Sequence, residues 1–116
     1  MADTQNLYIN SKKLENIYGD SGSFNNVTII APNIKNLVLK SENYSGKLQL
    51  KNAINYPNLD LIDISNSKIS LEVDGLNVKT INLSNMKAPN SSVTIMNCNS
   101  LQELNLNNIT LNSLNV

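Results

Sequence analysis

The pattern that decides the fold lies in residues 101–116, which read LQELNLNNITLNSLNV. An apolar residue stands at positions 1, 4 and 6 of a six-residue unit, and this unit begins at Leu101 and again at Leu111. Within each unit the last two apolar residues flank one polar residue, which is the period-two alternation of a half-buried β-strand. The stretch therefore predicts two short strands separated by a turn.

The same apolar-x-apolar pairs recur along the chain about every 21 residues, in two interleaved series. The first series is Leu7/Ile9, Val27/Ile29, Leu48/Leu50, Leu71/Val73, Val93/Ile95 and Leu114/Val116. The second series is Ile17/Gly19, Leu37/Leu39, Ile62/Ile64, Ile81/Leu83 and Leu104/Leu106. Two series of one period predict an all-β parallel β-solenoid of about five coils, with two short strands per ~21-residue coil and almost no helix. We expect residues 1–116 to form one such domain, alone or within a longer solenoid or assembly.

Asparagine supplies 23 of the 116 residues, and it favours turns because it tolerates left-handed backbone. Small polar residues occupy matching places in successive coils, so stacking is expected to align them into ladders of side-chain hydrogen bonds. One set precedes the second series (Asn33, Asn58, Asn77, Ser100) and another follows it (Ser41, Asn66, Asn85, Asn108). The connection over 51–58 is the longest and is expected to bulge.

Composition argues against several classes of function. Nine scattered lysines balance nine acidic residues and there is no Arg, so nucleic acid is not an expected partner. The absence of His removes the commonest general base and a major metal ligand, and we expect no catalytic residue, no cofactor and no metal site. Cys98 is the only cysteine and is interpreted as a small buried hydrophobe. No apolar run is long enough for a membrane span, and no signal peptide is visible, which favours a virion or cytoplasmic location over general secretion.

The second-series segments resemble leucine-rich repeats, and Cys98-Asn-Ser-Leu101-Gln-Glu-Leu104-Asn-Leu106 resembles the bacterial surface-antigen type. This resemblance implies a strand surface that binds partner proteins. Two outward rows would form it: Asn36, Leu61, Thr80 and Glu103 beside Val38, Asp63, Asn82 and Asn105. The chain departs from the family where its Asn is replaced by Glu42, Ser67, Met86 and Ile109. Regular strands in both series favour a flat two-sheet stack over a horseshoe.

A second resemblance is to pentapeptide-repeat β-helices, because residues 7–46 and 71–98 also show apolar residues in steps of five. The chain departs from that family by carrying large apolar residues, such as Leu7 and Leu71, where the family has small ones. Both resemblances imply a parallel β-solenoid.

The expected ends of the stack suggest a function. The first strand begins at Leu7 and the last residues lie in a strand, with no capping helix at either end. Uncapped coils expose strand edges over an apolar cross-section, which is a template for another chain. We therefore expect a non-enzymatic structural or attachment module that self-associates as a homo-oligomer or joins a larger protein assembly, with Leu7, Ile9, Leu114 and Val116 in end-to-end contact. Polar, weakly charged solenoids of this kind suggest a phage virion part such as a fibre, spike or decoration.

Two alternatives stay open, a leucine-rich-repeat-like recognition module and a β-helix that binds or cleaves polysaccharide. Candidate acids for cleavage are Asp60, Asp63, Glu72 and Asp74. Asp63 and Glu72 are expected on opposite sheets, farther apart than the ~5–9.5 Å that a glycosidase pair requires. Aromatic anchors for any ligand are restricted to Tyr8, Tyr18, Tyr44 and Tyr56, of which the last two are candidates to fill coil corners. A glycan partner has no other support in the sequence.

Overall fold

The computed structural model describes residues 5–116, and this range contains eleven β-strands and no helix. The strands that belong to the first series are β1 (Asn6–Asn10), β3 (Asn26–Ile30), β5 (Ser45–Lys51), β7 (Lys68–Asp74), β9 (Lys87–Met96) and β11 (Thr110–Asn115). Those of the second series are β2 (Asn16–Gly19), β4 (Asn36–Leu39), β6 (Leu61–Asp63), β8 (Thr80–Asn82) and β10 (Glu103–Asn105).

The strands stack into two sheets with parallel pairing throughout. The even-numbered strands form one five-stranded sheet in the order β10-β8-β6-β4-β2, which we call the even sheet. The odd-numbered strands form the other side, as a four-stranded sheet β11-β9-β7-β5 beside the pair β1-β3, and together they are called the odd sheet. The chain makes about 5 turns of 22 residues each. The predicted β-solenoid with two strands per coil is therefore confirmed.

The core is a set of aliphatic columns between the two sheets. Register places Ile17, Leu37, Ile62, Ile81 and Leu104 side by side on successive strands of the even sheet. The middle three are fully buried, whereas Leu104 is only half-buried. Because every strand alternates its side chains between the two faces, the apolar partner of each pair also points inward. Tier-on-tier contact between neighbouring coils is what stabilises such a stack.

Asparagine is frequent at the turns because several turn positions have a left-handed backbone conformation. Asn66, Asn85 and Asn108 follow successive even strands with φ of 63°, 59° and 56°. On the other side, Asn52, Gly75 and Asn97 follow successive odd strands with φ of 72°, 68° and 54°. Of the expected ladders of side-chain hydrogen bonds, the second set forms one contact, in which Asn108 Nδ2 donates to Asn85 Oδ1 at 3.4 Å, whereas Asn33 of the first set donates to the Lys12 carbonyl. The left-handed turn is the stronger requirement, since other L-residues adopt it at a cost.

We predict that Asn66→Ala destabilises the protein by about 1 kcal/mol, because alanine lacks the short polar side chain that makes φ of 63° tolerable. Asn66→Gly is expected to stay within a few tenths of a kcal/mol of the original, since glycine adopts this conformation freely. Urea unfolding followed by circular dichroism measures both. The control is Asn58→Ala, an exposed turn asparagine outside the left-handed set, and an equal loss there would contradict the conformational explanation.

The odd sheet is interrupted between β3 and β5. These strands are neighbours, but their ladder is reduced to the bridge between Phe24 and Tyr44, whose rings stack with centroids 4.3 Å apart. Gly46 lies at this joint with φ of 102°, and a Cβ there would stand 2.6 Å from the Asn25 carbonyl oxygen. The repeat pattern predicted regular stacking here, from Val27/Ile29 to Leu48/Leu50, so the interruption is a feature that the sequence did not reveal.

Tyr56 restores one hydrogen bond that the interrupted ladder lacks. The connection between β5 and β6 bulges as predicted, and it carries the half-buried Tyr56 back towards β3. There the Tyr56 hydroxyl donates to the Ile29 carbonyl at 2.7 Å. Burial raises the pKa of Tyr56, which keeps the hydroxyl protonated and able to donate. Tyr44 is buried and Tyr56 half-buried, so both tyrosines fill the coil as expected.

Three odd strands are longer than the predicted pairs, and one of them contains a bulge. Strands β5 and β7 have 7 residues each and β9 has 10. Between Leu111 and Ser113 of β11 the partner strand β9 advances from Ala88 to Ser92, past Pro89. Proline has no N–H to give to a ladder, so it is accommodated where the pairing is broken. Strand β11 ends at Asn115, which leaves Val116 just beyond it rather than inside a strand.

Candidate interaction surfaces

The outer face of the even sheet carries the two predicted rows in register. Asn36, Leu61, Thr80 and Glu103 occupy one row, with Asn16 before them. Val38, Asp63, Asn82 and Asn105 occupy the next, with Tyr18 before them. All but the exposed Asn16, Tyr18 and Glu103 are half-buried by their neighbours in the rows. The sequence therefore located this surface correctly, and its use as a recognition site stays a prediction.

Several polar groups of this surface are engaged within the protein. Asp63, Asn82 and Asn105 each accept a hydrogen bond at 3.0 Å through Oδ1 from the backbone N–H two residues further on. This contact initiates the turn that leaves each even strand. In the neighbouring row Asn36 Nδ2 donates to Asn16 Oδ1 at 2.8 Å. These side chains shape the coil, which leaves fewer of their atoms for a partner.

Charged side chains line the corner where each of the first four even strands begins. Lys35 Nζ lies 2.8 Å from Glu15 Oε1, and Lys79 Nζ lies 3.8 Å from Asp60 Oδ1. The hydrogen bond between the first two lowers the pKa of Glu15 and raises that of Lys35. All four side chains are more than half exposed, so the pairs contribute little to stability. Because positive and negative side chains alternate in this corner, it does not present an electrostatic field of one sign to a charged ligand.

The candidate acid Glu72 lies on the outer face of the odd sheet between two lysines. Its carboxylate oxygens are 2.7 Å from Lys51 Nζ and 3.4 Å from Lys47 Nζ. The hydrogen bond from Lys51 is the largest effect and lowers the pKa of Glu72; burial opposes it to a smaller extent, and the hydrogen bond from Lys47 lowers the pKa further. A general acid needs the opposite shift, so that it carries a proton near neutral pH. Glu72 is therefore poorly suited to protonate a leaving group.

The other candidate acids are not arranged as a catalytic pair with Glu72. Asp74 accepts a hydrogen bond from Asn97 Nδ2 at 2.9 Å on the same sheet. Asp63 is on β6 in the even sheet and Asp60 lies at the corner before it, so the core separates both from Glu72. The predicted placement of Asp63 and Glu72 on opposite sheets is confirmed. The core thus keeps Asp60 and Asp63 from forming an acid–base pair with Glu72.

The face formed by β10 and β11, called here the C-terminal face, leaves apolar side chains partly uncovered. Leu106 and Leu114 are 37% and 36% exposed, and Val116 is 70% exposed. Four more aliphatic residues on this face are only half-buried: Leu101, Leu104, Ile109 and Leu111. Equivalent residues one coil inward, such as Ile81 and Leu83, are fully buried. The outer edges of β10 and β11 have no neighbouring strand in the described chain.

The opposite face, formed by β1 and β2 and called the N-terminal face, is better covered. Leu7 and Ile9 are half-buried, and Ile17 is buried. An apolar cleft of about 350 Å³ opens here, lined among others by Leu7, Ile9, Ile17, Phe24 and Leu39. Of the four residues in the predicted end-to-end contact, Leu114 and Val116 are thus more accessible than Leu7 and Ile9.

Sequence reasoning missed one exposed apolar patch on the bulging connection. Ile54 is 82% exposed at its tip and Ile30 is 45% exposed nearby, with Pro32 and Tyr56 between them around a shallow depression. The signal that could have revealed it is Ile54 itself, an isoleucine outside both apolar series in the longest connection. Tyr8 and Tyr18 are exposed on opposite sheets, so they do not form a joint aromatic anchor.

Within residues 5–116 no three His, Cys, Asp or Glu side chains come together in a way that could hold a metal ion. The free thiol of Cys98 is half-buried, and its Sγ lies 3.3 Å from the Met96 carbonyl oxygen. The described residues also hold no helix with the length and apolar character needed to span a membrane. Comparison of the chain with protein-family models, curated proteins and solved structures finds no match.

Proposed function

We propose that this chain is a non-enzymatic structural module that joins other polypeptide through the end of its β-stack. The observation that carries the proposal is the C-terminal face, where two strand edges lie beside uncovered leucines. An edge strand offers unpaired N–H and C=O groups, and burying the adjacent leucines adds hydrophobic free energy. The function is therefore assembly, with the solenoid as a rigid spacer.

The edge strands β10 and β11 lack two of the features by which monomeric β-proteins prevent such pairing. Exposed edges are usually protected by lysine, proline or inward-pointing charge. Across residues 88–116 the only charged residue is Glu103, and neither β10 nor β11 contains lysine or proline. The coils further from this face, by contrast, carry all nine lysines. Lysine and proline are thus missing at the face where apolar residues are least covered, and the protection left there is the shortness of β10, its Glu103 and the bulge of β9 beside β11.

The remaining surface supports a structural role better than a catalytic one. Its outer rows are occupied by turn-forming hydrogen bonds, and its candidate acid Glu72 is held ionised by two lysines. A rigid, weakly charged rod with one adhesive end suits a component of a larger particle. Within this proposal a virion part remains the first expectation for context.

Sedimentation velocity across a concentration series tests the proposal. We expect the 116-residue chain to self-associate, and we expect Leu106→Lys and Leu114→Lys each to weaken that association at least 10-fold. The reason is that each substitution places a charge where about 1.5–3 kcal/mol of hydrophobic free energy would be gained on burial. Both positions are already more than one-third exposed, so the monomer should keep its β-sheet circular dichroism.

Ile54→Lys is the matched control, because it introduces the same charge at the aliphatic residue with the highest exposed fraction outside the C-terminal face. Association should be unchanged in this variant. A chain that stays monomeric at all concentrations, or one whose association is lost in Ile54→Lys and kept in Leu114→Lys, would contradict the proposal.

A further inference from the structure

The C-terminal face is stepped rather than flat. The described chain has six odd strands and five even strands, so β11 stands half a coil beyond β10. Strands within a sheet are ~4.8 Å apart, and β11 therefore forms a ridge one strand wide beside a slot next to β10 that residues 5–116 leave open. Leu104 and Leu106 border the slot, and Leu111 and Leu114 lie on the inner side of the ridge.

Head-to-tail stacking of two copies does not fill this slot. Strand β1 of a second copy would pair with β11, because each is the outermost odd strand of its face. Strand β2 of that copy would then lie two strand spacings from β10 in the even sheet, and the position directly beside β10 would stay empty. The end-to-end contact between the Leu114 and Leu7 faces, expected from the sequence, would thus leave a gap of one strand in the even sheet.

No gap is left when two copies are related by a two-fold axis that runs parallel to the strands, midway between the two sheets. Such an axis exchanges the sheets, so the ridge of each copy enters the slot of the other. Odd and even strands run in opposite directions because the chain crosses one sheet and returns along the other, so the new pairs are antiparallel. We infer that two copies of the 116-residue chain form a two-fold dimer in which β11 of each copy pairs with β10 of the other.

The side chains are compatible with this arrangement. Across both joints, the inward residues Leu111 and Leu114 of one copy would lie beside Leu104 and Leu106 of the other, which continues the aliphatic tiers. Glu103 faces outward on β10, and its new neighbour β11, Thr110–Asn115, is uncharged. No like charges would therefore be opposed, which would destabilise a cross-strand pair. The contact uses the same surface on both copies, as expected of a two-fold interface.

This inference rests on the proposed assembly function and specifies its partner, a second copy. Disulfide formation between single-cysteine chains tests it, with Cys98→Ala as the common background. One chain carries Asn105→Cys on β10 and the other carries Ser113→Cys, whose position pairs outward with Ser92 on the odd sheet. When Leu114 lies beside Leu104 of the other copy, antiparallel pairing places residues 105 and 113 opposite each other. We expect a disulfide-linked dimer when the two chains are mixed under mild oxidation, and none from Ser113→Cys alone.

Other outcomes would overturn the inference in distinguishable ways. A disulfide from Ser113→Cys alone would mean that β11 pairs with β11 within one sheet. A disulfide between Ser113→Cys and Tyr8→Cys chains, with species larger than two chains in sedimentation, would mean head-to-tail stacking. Either result leaves the proposed assembly function standing, whereas a strictly monomeric chain rejects both.

Symmetry also sets the size of the effect of a substitution. In the two-fold dimer each substitution occurs twice at one interface, so Leu114→Lys should weaken a homodimer about 100-fold and a mixed dimer with the original chain about 10-fold. Sedimentation of the mixed and unmixed proteins measures the ratio. Equal weakening in both mixtures would contradict the two-fold arrangement.

Discussion

Ile81→Ala is expected to lower the free energy of unfolding by about 2–5 kcal/mol, the cost of removing most of a buried aliphatic side chain and leaving a cavity. Ile81 has no exposed surface and lies in β8 between Ile62 and Leu104 of the adjacent coils. A core only one side-chain layer deep on each sheet has little material that could move into the cavity. Because small domains are stable by about 5–15 kcal/mol, this change removes a large share.

The matched control for Ile81→Ala is Leu104→Ala, which lies in the same column at the half-buried end of the stack. We expect it to cost about 1–2 kcal/mol, measured by urea unfolding at a concentration where the protein is monomeric. If the end position cost more than the central one, the stability of this protein would not come from tiers stacked between two sheets.

Gly46→Ala is expected to destabilise the protein by about 3 kcal/mol or more, although it adds a single methyl group. The residue has φ of 102°, and the added Cβ would lie 2.6 Å from the Asn25 carbonyl oxygen and 3.1 Å from the Asn26 nitrogen. These are backbone atoms of the adjacent coil, so they cannot rotate away as a side chain could. The joint between β3 and β5 would have to open, and thermal unfolding should show a lower midpoint.

Gly22→Ala separates the two causes of this effect. Gly22 also has positive φ, 76°, but nothing stands within 4 Å of the place where its Cβ would lie. We expect only the conformational cost of about 1 kcal/mol there. An equal loss at both glycines would show that the close approach of the coils at Gly46 is unimportant.

The strand pattern could be predicted from the sequence because alternation is local. Leu48 and Leu50, or Val93 and Ile95, share one side of their strand whatever lies elsewhere in the chain, since successive side chains of a strand face opposite sides, and as the apolar side it is the one that is buried. The repeat of about 21 residues then sets which strands become neighbours, and the observed register follows it. The rows of Asn36 and Val38 on the outer face follow from the same two periods.

The use made of those side chains could not be predicted in the same way. Asp63 and Asn82 could have offered their oxygens to a ligand, but each accepts a bond from its own turn. Glu72 could have been free, but Lys47 and Lys51 reach it across the sheet. Which partner each side chain bonds depends on competition among several donors and acceptors. The distances between them in the folded protein cannot be read from the spacing of residues along the chain.

The sequence by itself determined the architecture of this protein, an all-β stack with aliphatic tiers and asparagine turns, because short-range alternation and a constant repeat are sufficient to specify it. Only the tertiary structure decided where the stack is imperfect: the joint at Gly46 and Tyr56, the bulge at Pro89, and the step between β10 and β11. These features arise where residues about one coil apart meet in space, and the balance of steric contact and hydrogen bonding between them exists only once the coils are stacked.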